Sequence, residues 1–372
     1  MAQPAPTSEP AARLLFVSSN GVGMGHLSRL LAVARRLPDS VEAVFLTMSQ
    51  ALPVIQQFGF HAEYVPSHQH TQSDMATWNA WLKNTLDQVL EAYSIRAVVF
   101  DGNIVYQGIR DAVLPRPGCP LIWIRRGMWR KDQDNSPSLL SGAEVDLIIE
   151  PGDVASNLDS GASAEQREGV ALVDPIRLLD PEELLPRNES CRTLGLNPDD
   201  RYVLIQLGAG NNCNIIDLIG SVLATLEKTG IAIPVIAEWL TSDFSLDLWP
   251  LVPRLRCFPI SRYCRAFDFT ISAAGYNSFN EIISFGMPSV LAPNLNRAMD
   301  DQSARANFAD VYGAAVHLDH EMLPNLDRIL SAMTDEDRRR TMKEKCHLIA
   351  RQNGAEQAAQ LVTETITQVE TL

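Results

Sequence analysis

The sequence predicts an α/β protein built from two Rossmann-like, doubly wound domains that face a central cleft. Three observations support this fold class. Short apolar runs alternate along the chain with amphipathic stretches of helical period. The alternation stops at a proline-containing break at residues 174–181 and then starts again. The length of 372 residues is too great for one ordinary core and suits two domains of average size.

The apolar runs are predicted to be strands of parallel sheets, because they are apolar on both faces and are separated by helices. The first series comprises residues 13–19, 41–47, 97–101, 121–125 and 146–150. The second series comprises residues 202–207, 231–237, 269–272, 289–292 and 314–318. The expected organisation is a disordered lead-in at residues 1–12, an N-terminal domain at 13–175, a C-terminal domain at 176–345, and a C-terminal helix at 346–372 that packs back on the N-terminal domain.

Composition narrows the class of partner. The formal net charge of −14 argues against general nucleic-acid binding, because a phosphate backbone would repel the chain. The six cysteines show no C-x-x-C spacing and no zinc-ligand cluster, so buried free thiols and no metal are expected. No signal peptide and no apolar run of membrane-spanning length is evident. The expected location is the cytoplasm, and peripheral contact with the inner face of the membrane stays open.

A glycine-rich loop, Asn-Gly-Val-Gly-Met-Gly-His at residues 20–26, joins the first strand to the first helix. Gly23 and Gly25 permit a tight turn and a close approach of the backbone to a ligand. A dinucleotide-binding fingerprint is the alternative interpretation. It fits badly, because its third glycine would fall at His26 and no acidic residue ends the second strand.

His26 is the candidate catalytic base of this loop. A neutral imidazole at a strand end could deprotonate an acceptor hydroxyl, and such a base works better when a carboxylate orients its other nitrogen. Asp101 ends the strand at residues 97–101, which reaches the same sheet edge. We therefore hypothesise a His26–Asp101 dyad. The alternatives are a structural histidine and a carboxylate that caps the turn before Gly102.

The second half carries a similar loop, in which the strand at residues 202–207 runs into Gly208 and Gly210. A diphosphate would fit against the backbone N–H groups there, although many strand–helix turns carry glycine. A more specific pattern follows at residues 268–315. A strand enters a turn at Gly275, and the next helix carries Ser278 in its first turn and Glu281 one turn later.

This order of motifs resembles glycosyltransferase family 28, which includes the bacterial enzyme that adds N-acetylglucosamine to the peptidoglycan lipid precursor. The resemblance rests on residues 23–26 and on residues 258–315. In the second region, Gly275, Glu281, Gly286, Pro288, Asp301, Gln302 and Gly313 stand at the family's spacing. The resemblance implies the GT-B fold, a nucleotide-sugar donor held by the C-terminal domain, an acceptor on the N-terminal domain, and inversion without a catalytic metal or cofactor.

The resemblance also implies roles for individual residues. Glu281 matches the carboxylate that accepts both ribose hydroxyls, a bidentate role suited to an acid. Ser278 and Gly275 match diphosphate contacts. Gln302, with Asp301 beside it, matches an amide that hydrogen-bonds sugar hydroxyls, and Ile260 matches the main chain that binds the base. The alternative for Glu281 is an ordinary solvent-facing glutamate.

Four departures from the family pattern stand out. Arg305 occupies the position where many relatives have asparagine, which leaves the donor sugar open. The second glycine loop is Gly-Ala-Gly-Asn-Asn rather than Gly-Gly-Ser-x-Gly, and Met24 replaces a glycine of the first loop. The acceptor-side loop of the peptidoglycan enzyme is not recognisable.

A basic segment at residues 123–131 stands out in this acidic chain. It carries Arg125, Arg126 and Arg130 beside two tryptophans, Trp123 and Trp129. Arginine side chains suit a phosphate or carboxylate, and tryptophan faces suit sugar rings or a bilayer interface. We therefore expect the segment to bind an anionic acceptor, such as a lipid-linked or phosphorylated saccharide. A solvated charged turn is the alternative.

These patterns together predict an inverting glycosyltransferase that uses a nucleotide-sugar, for which a UDP-sugar is the expected donor. Two other classes stay open. One is a nucleotide-sugar hydrolase or 2-epimerase on the same fold, and a Gly-x-Gly-His loop followed by an arginine, as by Arg29 here, fits the hydrolase. The other is a non-catalytic nucleotide-sugar-binding protein.

Overall fold

The computed structural model describes residues 12–19, 23–208, 215–238, 248–296 and 299–370. The strands are β1 Ala12–Ser18, β2 Val41–Thr47, β3 His61–Tyr64, β4 Ile95–Asp101, β5 Leu121–Ile124, β6 Leu147–Pro151, β7 Val170–Val173, β8 Tyr202–Gln206, β9 Ile233–Ala237, β10 Arg254–Leu255, β11 Phe269–Ser272, β12 Ser289–Leu291 and β13 Val316–His317. The helices are α1 Gly25–Ala34, α2 Leu52–Gln57, α3 His68–Thr71, α4 Met75–Ala92, α5 Gln107–Val113, α6 Ser136–Ser141, α7 Ala162–Glu165, α8 Arg187–Leu194, α9 Ile216–Thr229, α10 Tyr276–Phe285, α11 Gln302–Val311, α12 Leu326–Ala332, α13 Glu336–Ile349 and α14 Ala355–Glu370.

The chain folds into two compact units. The first comprises the residues up to Gly152, Ser160–Leu178, and the residues from Asn353 onward. The second comprises Asp153–Asp159 and Leu179–Gln352. The division at residues 178 and 179 lies close to the expected boundary after residue 175.

The first unit is built on a seven-stranded sheet with the order β3-β2-β1-β4-β5-β6-β7. Neighbouring strands are parallel throughout, and Ser18 at the end of β1 is in register with Asp101 at the end of β4. The strand order reverses between β1 and β4. This is the switch point at which doubly wound sheets bind ligands, at the carboxyl ends of their strands.

The second unit repeats the same plan with six parallel strands in the order β10-β9-β8-β11-β12-β13. Its switch point lies between β8 and β11. There Gln206, Ser272 and Leu291 are in register at the ends of β8, β11 and β12. The predicted pair of Rossmann-like, doubly wound domains is therefore confirmed.

The strands of both sheets are rich in apolar side chains, and these side chains are buried in the cores of the two units. Leu14, Leu15, Phe16 and Val17 of β1 are fully buried, because helices cover both faces of the sheet. In the second unit, Val203 and Ile205 of β8 and Ile271 of β11 contribute to the core formed with α9 and α12. The rigid sheet fixes the strand ends, and with them the loops that carry the candidate site residues.

The C-terminal region differs from the expectation of one C-terminal helix at residues 346–372. It forms two helices, α13 in the second unit and α14 in the first. Between them, Gly354 approaches Asp174 so closely that a Cβ atom would lie 1.9 Å from the Asp174 carbonyl oxygen. Helix α14 packs on α1, and its residues Ala358 and Val362 are fully buried. The residues from 346 to 352, expected with the final helix, belong to the second unit.

Most predicted strands recur within two residues of their expected bounds. The sequence missed β3, β7 and β10, which are short and lie at the outer parts of the sheets. The lead-in at residues 1–11 lies outside the described residues, and Ala12 begins β1. Among the helices of the described ranges, none is long and apolar enough to cross a membrane.

Candidate functional site

The first cluster of candidate residues lies at the switch point of the first sheet. Strand β1 ends at Ser18, and α1 begins at Gly25, so Gly23, Met24 and Gly25 lead directly into the helix that carries His26. The backbone N–H of Ser19 donates to the Asp101 carbonyl at 3.0 Å, which holds the loop against the end of β4. Parallel pairing of β1 and β4 therefore brings His26 and Asp101 to one edge.

The His26 imidazole contacts the Asp101 carboxylate, with Nδ1 2.6 Å from Oδ1. The same carboxylate accepts two bonds from Arg29, from Nε to Oδ2 at 2.8 Å and from Nη2 to Oδ1 at 2.6 Å. Arg29 is one turn beyond His26 on α1, so both side chains leave the same helix face. The sequence pattern includes Arg29 after the first glycine loop, but the structure is needed to show that Arg29 and His26 contact the same Asp101 carboxylate.

The charge state of the carboxylate determines which imidazole nitrogen carries the proton. Burial works to raise the pKa of Asp101, but the Arg29 charge and the His26 hydrogen bond outweigh it and hold that pKa below its usual value. An ionised carboxylate only accepts, so the short contact needs a proton on His26 Nδ1. The lone pair is then on Nε2, the nitrogen turned away from Asp101.

Burial also lowers the pKa of His26 below its ordinary value of 6.5. The bond and the attraction from Asp101 oppose this effect, while the charges of Arg29 and Arg126 add to it. The side chain nevertheless keeps 12% of its surface exposed, so it can meet a ligand. The result is an imidazole that is neutral at pH 7, with its lone pair on Nε2 and part of the side chain exposed.

The basic segment divides into a buried part and an accessible part. Arg125 is 2% exposed and donates to Glu150 at 2.7 Å and to the Gln166 carbonyl at 2.9 Å. Its guanidinium is therefore committed to an internal ion pair. Arg126 is half-buried, and its charge acts on His26. Arg130 is also half-buried and donates to Asp132 at 3.1 Å.

The two tryptophans do not offer the faces that the sequence suggested. Trp123 is fully buried and Trp129 is 6% exposed. Trp123 Nε1 donates to the Gly102 carbonyl at 2.9 Å, directly after Asp101. The Trp129 carbonyl lies against Gly161, where a Cβ atom would lie 1.8 Å from its oxygen. Both indoles are therefore buried and present no open face to a sugar, so the expectation of aromatic faces for a sugar ring or bilayer was wrong.

The second cluster lies at the switch point of the second sheet. Gly208 follows β8 with a φ of +87°, a conformation that favours glycine. Gln206 Nε2 donates to Ser278 Oγ at 3.4 Å, and the Ala273 N–H donates to the Gln206 carbonyl at 3.0 Å. The end of β8 is thus joined to the residue that follows β11 and to the first turn of α10. Gly210, the second predicted glycine, lies outside the described residues.

Helix α10 places the predicted diphosphate and ribose contacts along one segment. Gly275 is its N-cap residue, and no side chain caps the helix at that position. Ser278 and Glu281 follow and are both half-buried. Ser261 Oγ donates to Glu281 Oε1 at 3.2 Å, so the carboxylate lies beside the turn that Ile260 begins. The structure therefore brings Glu281 and Ile260 together, with Ser261 as a partner that the sequence missed.

Gln302 lies across from Gly275. Its Oε1 accepts a bond from the Asn294 N–H at 3.0 Å, and its Nε2 is 3.8 Å from where a Cβ atom of Gly275 would be. The acceptor end of the amide is thus fixed after β12, and the donor end faces the turn. Asp301 is the N-cap residue of α11, and its carboxylate accepts from the Ala304 N–H at 3.0 Å.

Arg305 has surroundings that the sequence did not indicate. It is completely buried, and it pairs with Asp153 and Asp300. Arg305 lies three residues after Gln302, and in the sequence it stands out only as a departure from the family pattern. Asp153 is distant in the sequence and carried no recognisable signal, so only the fold could identify this cluster.

Across the part of the chain that the structure describes, no group of three or more His, Cys, Asp or Glu side chains is arranged to hold a metal ion.

Comparison with known proteins identifies the class of the second unit. Residues 257–362 match the C-terminal domain of glycosyltransferase family 28. This segment contains Ile260, Gly275, Ser278, Glu281 and Gln302, all placed by the structure around β11 and β12. A comparison with curated protein sequences gave no match.

Solved structures with similar architecture cover nearly the whole chain. MurG from Acinetobacter baumannii is 15% identical with a TM-score of 0.58, covering 95% of this chain and 99% of that one. The UDP-GlcNAc 2-epimerase from Neisseria meningitidis, solved with UDP-GlcNAc, is 15% identical with a TM-score of 0.65, covering 96% and 100%. Os79 from O. sativa, solved with UDP, is 14% identical with a TM-score of 0.68, covering 95% and 100%. At these identities the likeness establishes the fold.

The fold and the matched domain agree with each other. The chain has the two-domain GT-B fold, and its second unit contains a segment that matches the C-terminal domain of glycosyltransferase family 28, the family whose motifs its sequence resembles. The family match itself lies in the second unit, at residues 257–362.

Proposed function

We propose that this protein is a glycosyltransferase that transfers a sugar from a nucleotide-sugar, with a UDP-sugar as the expected donor, to a hydroxyl of an anionic or saccharide acceptor. One observation carries the proposal. Three groups suited to a nucleotide-sugar lie near the carboxyl edge of the second sheet, within the segment that matches family 28. They are the turn at Gly275, the carboxylate of Glu281 and the side-chain amide of Gln302. Parts of one extended ligand would meet these groups in that order.

Each part of the donor has a proposed partner in the second unit. Glu281 accepts hydrogen bonds from the ribose hydroxyls, and the main chain at Ile260 meets the base. The diphosphate lies over Gly208 and the Gly275 turn beside Ser278, where backbone N–H groups at a helix start stabilise negative charge. Gln302 Nε2 donates to the sugar, with Asp301 at the adjacent position. Gly210 would extend the diphosphate loop.

His26 is the proposed base in the first unit. Its Nε2 takes the proton of the acceptor hydroxyl as that oxygen bonds to the anomeric carbon of the donor. The bond between the anomeric carbon and the diphosphate breaks at the same time, and the nucleoside diphosphate leaves with the electron pair. Attack on the face opposite the leaving group inverts the anomeric centre. Neither a metal ion nor a cofactor takes part in this scheme.

The acceptor is proposed to approach through the basic segment. Arg126 is favoured because its charge lowers the pKa of His26, so it acts electrostatically on the proposed base. Gly23 and Gly25 permit close approach at the same loop, and Arg130 is at the outer end of the segment. Arg125 serves through its buried pair with Glu150, which supports the strand ends. A phosphate or carboxylate on a lipid-linked or phosphorylated saccharide would suit these charges. The corresponding location is the cytoplasm, at the inner face of the membrane.

One specific observation favours a second function. Arg29 follows the Gly-x-Gly-His loop at the spacing of the nucleotide-sugar hydrolases, and it contacts both Asp101 and His26. Water would then replace the acceptor hydroxyl. A 2-epimerase is also among the chains with this fold. A non-catalytic nucleotide-sugar-binding protein would use the second unit alone.

A panel of UDP-, GDP-, CDP- and TDP-sugars separates these functions. Each is incubated with the protein, with and without candidate saccharide acceptors, and the products are resolved by mass spectrometry and NMR. The transferase gives slow release of nucleotide that rises sharply with an acceptor. Rapid release of free sugar without acceptor indicates the hydrolase, and a new sugar isomer indicates the epimerase. Tight binding without turnover would overturn the enzyme assignment.

A further inference from the structure

Arg305 joins three separate segments of the second unit. Its Nε donates to Asp153 Oδ2 at 2.8 Å, and its Nη1 donates to Asp300 Oδ2 at 2.5 Å and to the Ala274 carbonyl at 3.2 Å. The side chain is completely buried, and both carboxylates are nearly so. Buried ion pairs are rigid when their partners are fixed, because a shift exposes an uncompensated charge.

Each segment that Arg305 holds begins or supports a proposed donor contact. Ala274 precedes Gly275, the N-cap residue of α10. Asp300 precedes Asp301 and Gln302, where α11 begins, and the Gln302 N–H donates to the Asp300 carbonyl at 2.9 Å. One guanidinium therefore fixes the turn before α10 relative to the start of α11.

The third segment strengthens this link. Asp153 also accepts from Asn280 Nδ2 at 3.4 Å, and the Val154 N–H donates to Asn280 Oδ1 at 3.2 Å. Asn280 belongs to α10, one position before Glu281. The Arg305 guanidinium lies 5.8 Å from the ring centroid of Tyr276, the first residue of α10. Helix α10 is thus held at its first turn and at its middle by the same cluster.

We propose that Arg305 is a positioning residue that sets the sugar and diphosphate part of the donor site. It does so by fixing the distance between the Gly275 turn and the Gln302 amide, without touching the donor itself. This inference rests on the proposed function, since it assigns Gly275 and Gln302 to the donor. The role needs a planar fork, because Nε and Nη1 reach different carboxylates, and a lysine ammonium cannot span both in this way.

The prediction is a selective loss of affinity. The ribose and base contacts depend on Glu281 and Ile260, which Arg305 does not hold directly. Arg305→Lys should therefore leave UMP binding within about twofold and weaken UDP-N-acetylglucosamine binding by about tenfold or more, the effect of misplacing hydrogen-bond partners. Titration calorimetry with UMP, UDP and UDP-N-acetylglucosamine measures all three affinities. Asp300→Asn, which keeps the Asp153 pair, is the second variant and should show the same order of effects.

Arg187→Lys is the matched control. Arg187 lies in the same unit and donates to Asp268 at 3.3 Å, at the start of β11 and so at the opposite end of that strand. Its replacement disturbs an ion pair without reaching the donor edge, so all three affinities should stay unchanged. Equal loss of UMP and UDP-N-acetylglucosamine in Arg305→Lys, or no loss of either, would overturn the positioning role.

Hydrogen exchange tests the same inference without a ligand. The amides of Phe279 and Ala304, which bond to the Gly275 carbonyl and the Asp301 carboxylate, should exchange faster in Arg305→Lys and Asp300→Asn than in Arg187→Lys. Unchanged exchange at both amides in these variants contradicts the proposal. If the wild-type protein binds none of the three nucleotides, the proposed donor fails, and the exchange result still decides whether Arg305 positions these segments.

Discussion

His26 Nδ1 lies 2.6 Å from Asp101 Oδ1, and that same oxygen accepts a bond from Arg29 at 2.6 Å. The arginine changes what the carboxylate does for the histidine. An isolated aspartate would raise the imidazole pKa and stabilise its protonated form. Here burial of the ring, with the Arg29 charge as a smaller contribution, outweighs the carboxylate and lowers the imidazole pKa, so Asp101 chiefly orients the ring and selects the tautomer. The proposed base is therefore ready in its neutral form at pH 7.

Replacement of His26 with Ala should reduce turnover by about a hundredfold or more, the usual contribution of a general base. The reason is that the acceptor proton loses its only proposed recipient in the scheme. Nucleotide binding should stay within about twofold, because the proposed donor contacts belong to the second unit. Initial rates and calorimetry with UDP measure the two effects. Turnover near the wild-type rate would remove His26 from the mechanism.

Replacement of Arg29 with Met should move the acidic limb of the kcat/KM profile to higher pH by about one unit, because a neighbouring charge of this kind shifts a pKa by that order. Removing the guanidinium takes away a repulsive charge and frees Asp101 to stabilise protonated His26. NMR titration of the imidazole gives the same pKa without substrate. Arg29→Lys, which retains the charge, is the control and should shift the limb less. An unchanged limb in Arg29→Met would contradict the offset of charges.

The lowered pKa of His26 also predicts how stability depends on pH. The unfolded chain binds a proton near pH 6.5, whereas the folded chain binds it only at lower pH. The contribution of His26 is therefore fully present above about pH 6.5 and is lost as the pH falls through the folded pKa. Thermal unfolding of the wild-type protein and of His26→Gln at pH 7.5 and pH 5.5 measures it. The wild-type protein should lose more of its free energy of unfolding than the variant over this interval.

Replacement of Glu281 with Gln should weaken UDP binding by about ten- to a hundredfold, since hydrogen bonds to a charged acceptor are worth about 1.5–3 kcal/mol. The glutamine amide has one oxygen that can accept a hydrogen bond from a ribose hydroxyl. Its NH₂ group is a donor and would face the second ribose hydroxyl, which is also a donor. The decisive comparison uses 2′-deoxy-UDP. The wild-type protein should discriminate against it, and Glu281→Gln should lose most of that discrimination. Equal discrimination in both proteins would show that the carboxylate does not meet the ribose.

The sequence predicted the fold well because hydrophobic periodicity reports directly on doubly buried strands. The strands β2 and β11 were placed at their observed bounds, since their apolar runs end at clear turns. Strand β3 was not predicted from the sequence, because its four residues include polar side chains and are all half-buried or exposed. The break between α13 and α14 was not predicted, because the composition typical of helices continues through it. The break places Gly354 against Asp174, a contact between residues that are distant in the sequence.

The candidate site was predictable where a role depends on local spacing and unpredictable where it depends on distant partners. His26 and Asp101 end up adjacent because parallel strands β1 and β4 are neighbours, which sequence reasoning could anticipate. The pairing of Arg305 with Asp153 joins residues that the sequence separates widely, and no pattern indicates it. The same limit explains Arg125, whose partner Glu150 ends a different strand.

Arg125 and Arg126 are neighbours in the basic segment, but their replacement should affect different quantities. Replacing Arg125 should lower the free energy of unfolding, and replacing Arg126 should change the pKa of His26. Arg125→Met leaves the buried Glu150 carboxylate with Arg167 opposite it, at 3.2 Å, so the free energy of unfolding should fall by about 3 kcal/mol, the lower end for breaking a buried pair. Arg126→Met should leave the unfolding free energy nearly unchanged but raise the pKa of His26, because it removes a charge that lowers that pKa. Denaturant unfolding and NMR titration of the imidazole measure the two quantities on the same samples. A large stability loss in Arg126→Met with an unshifted imidazole would place Arg126 in the structural framework and remove it from the proposed acceptor surface.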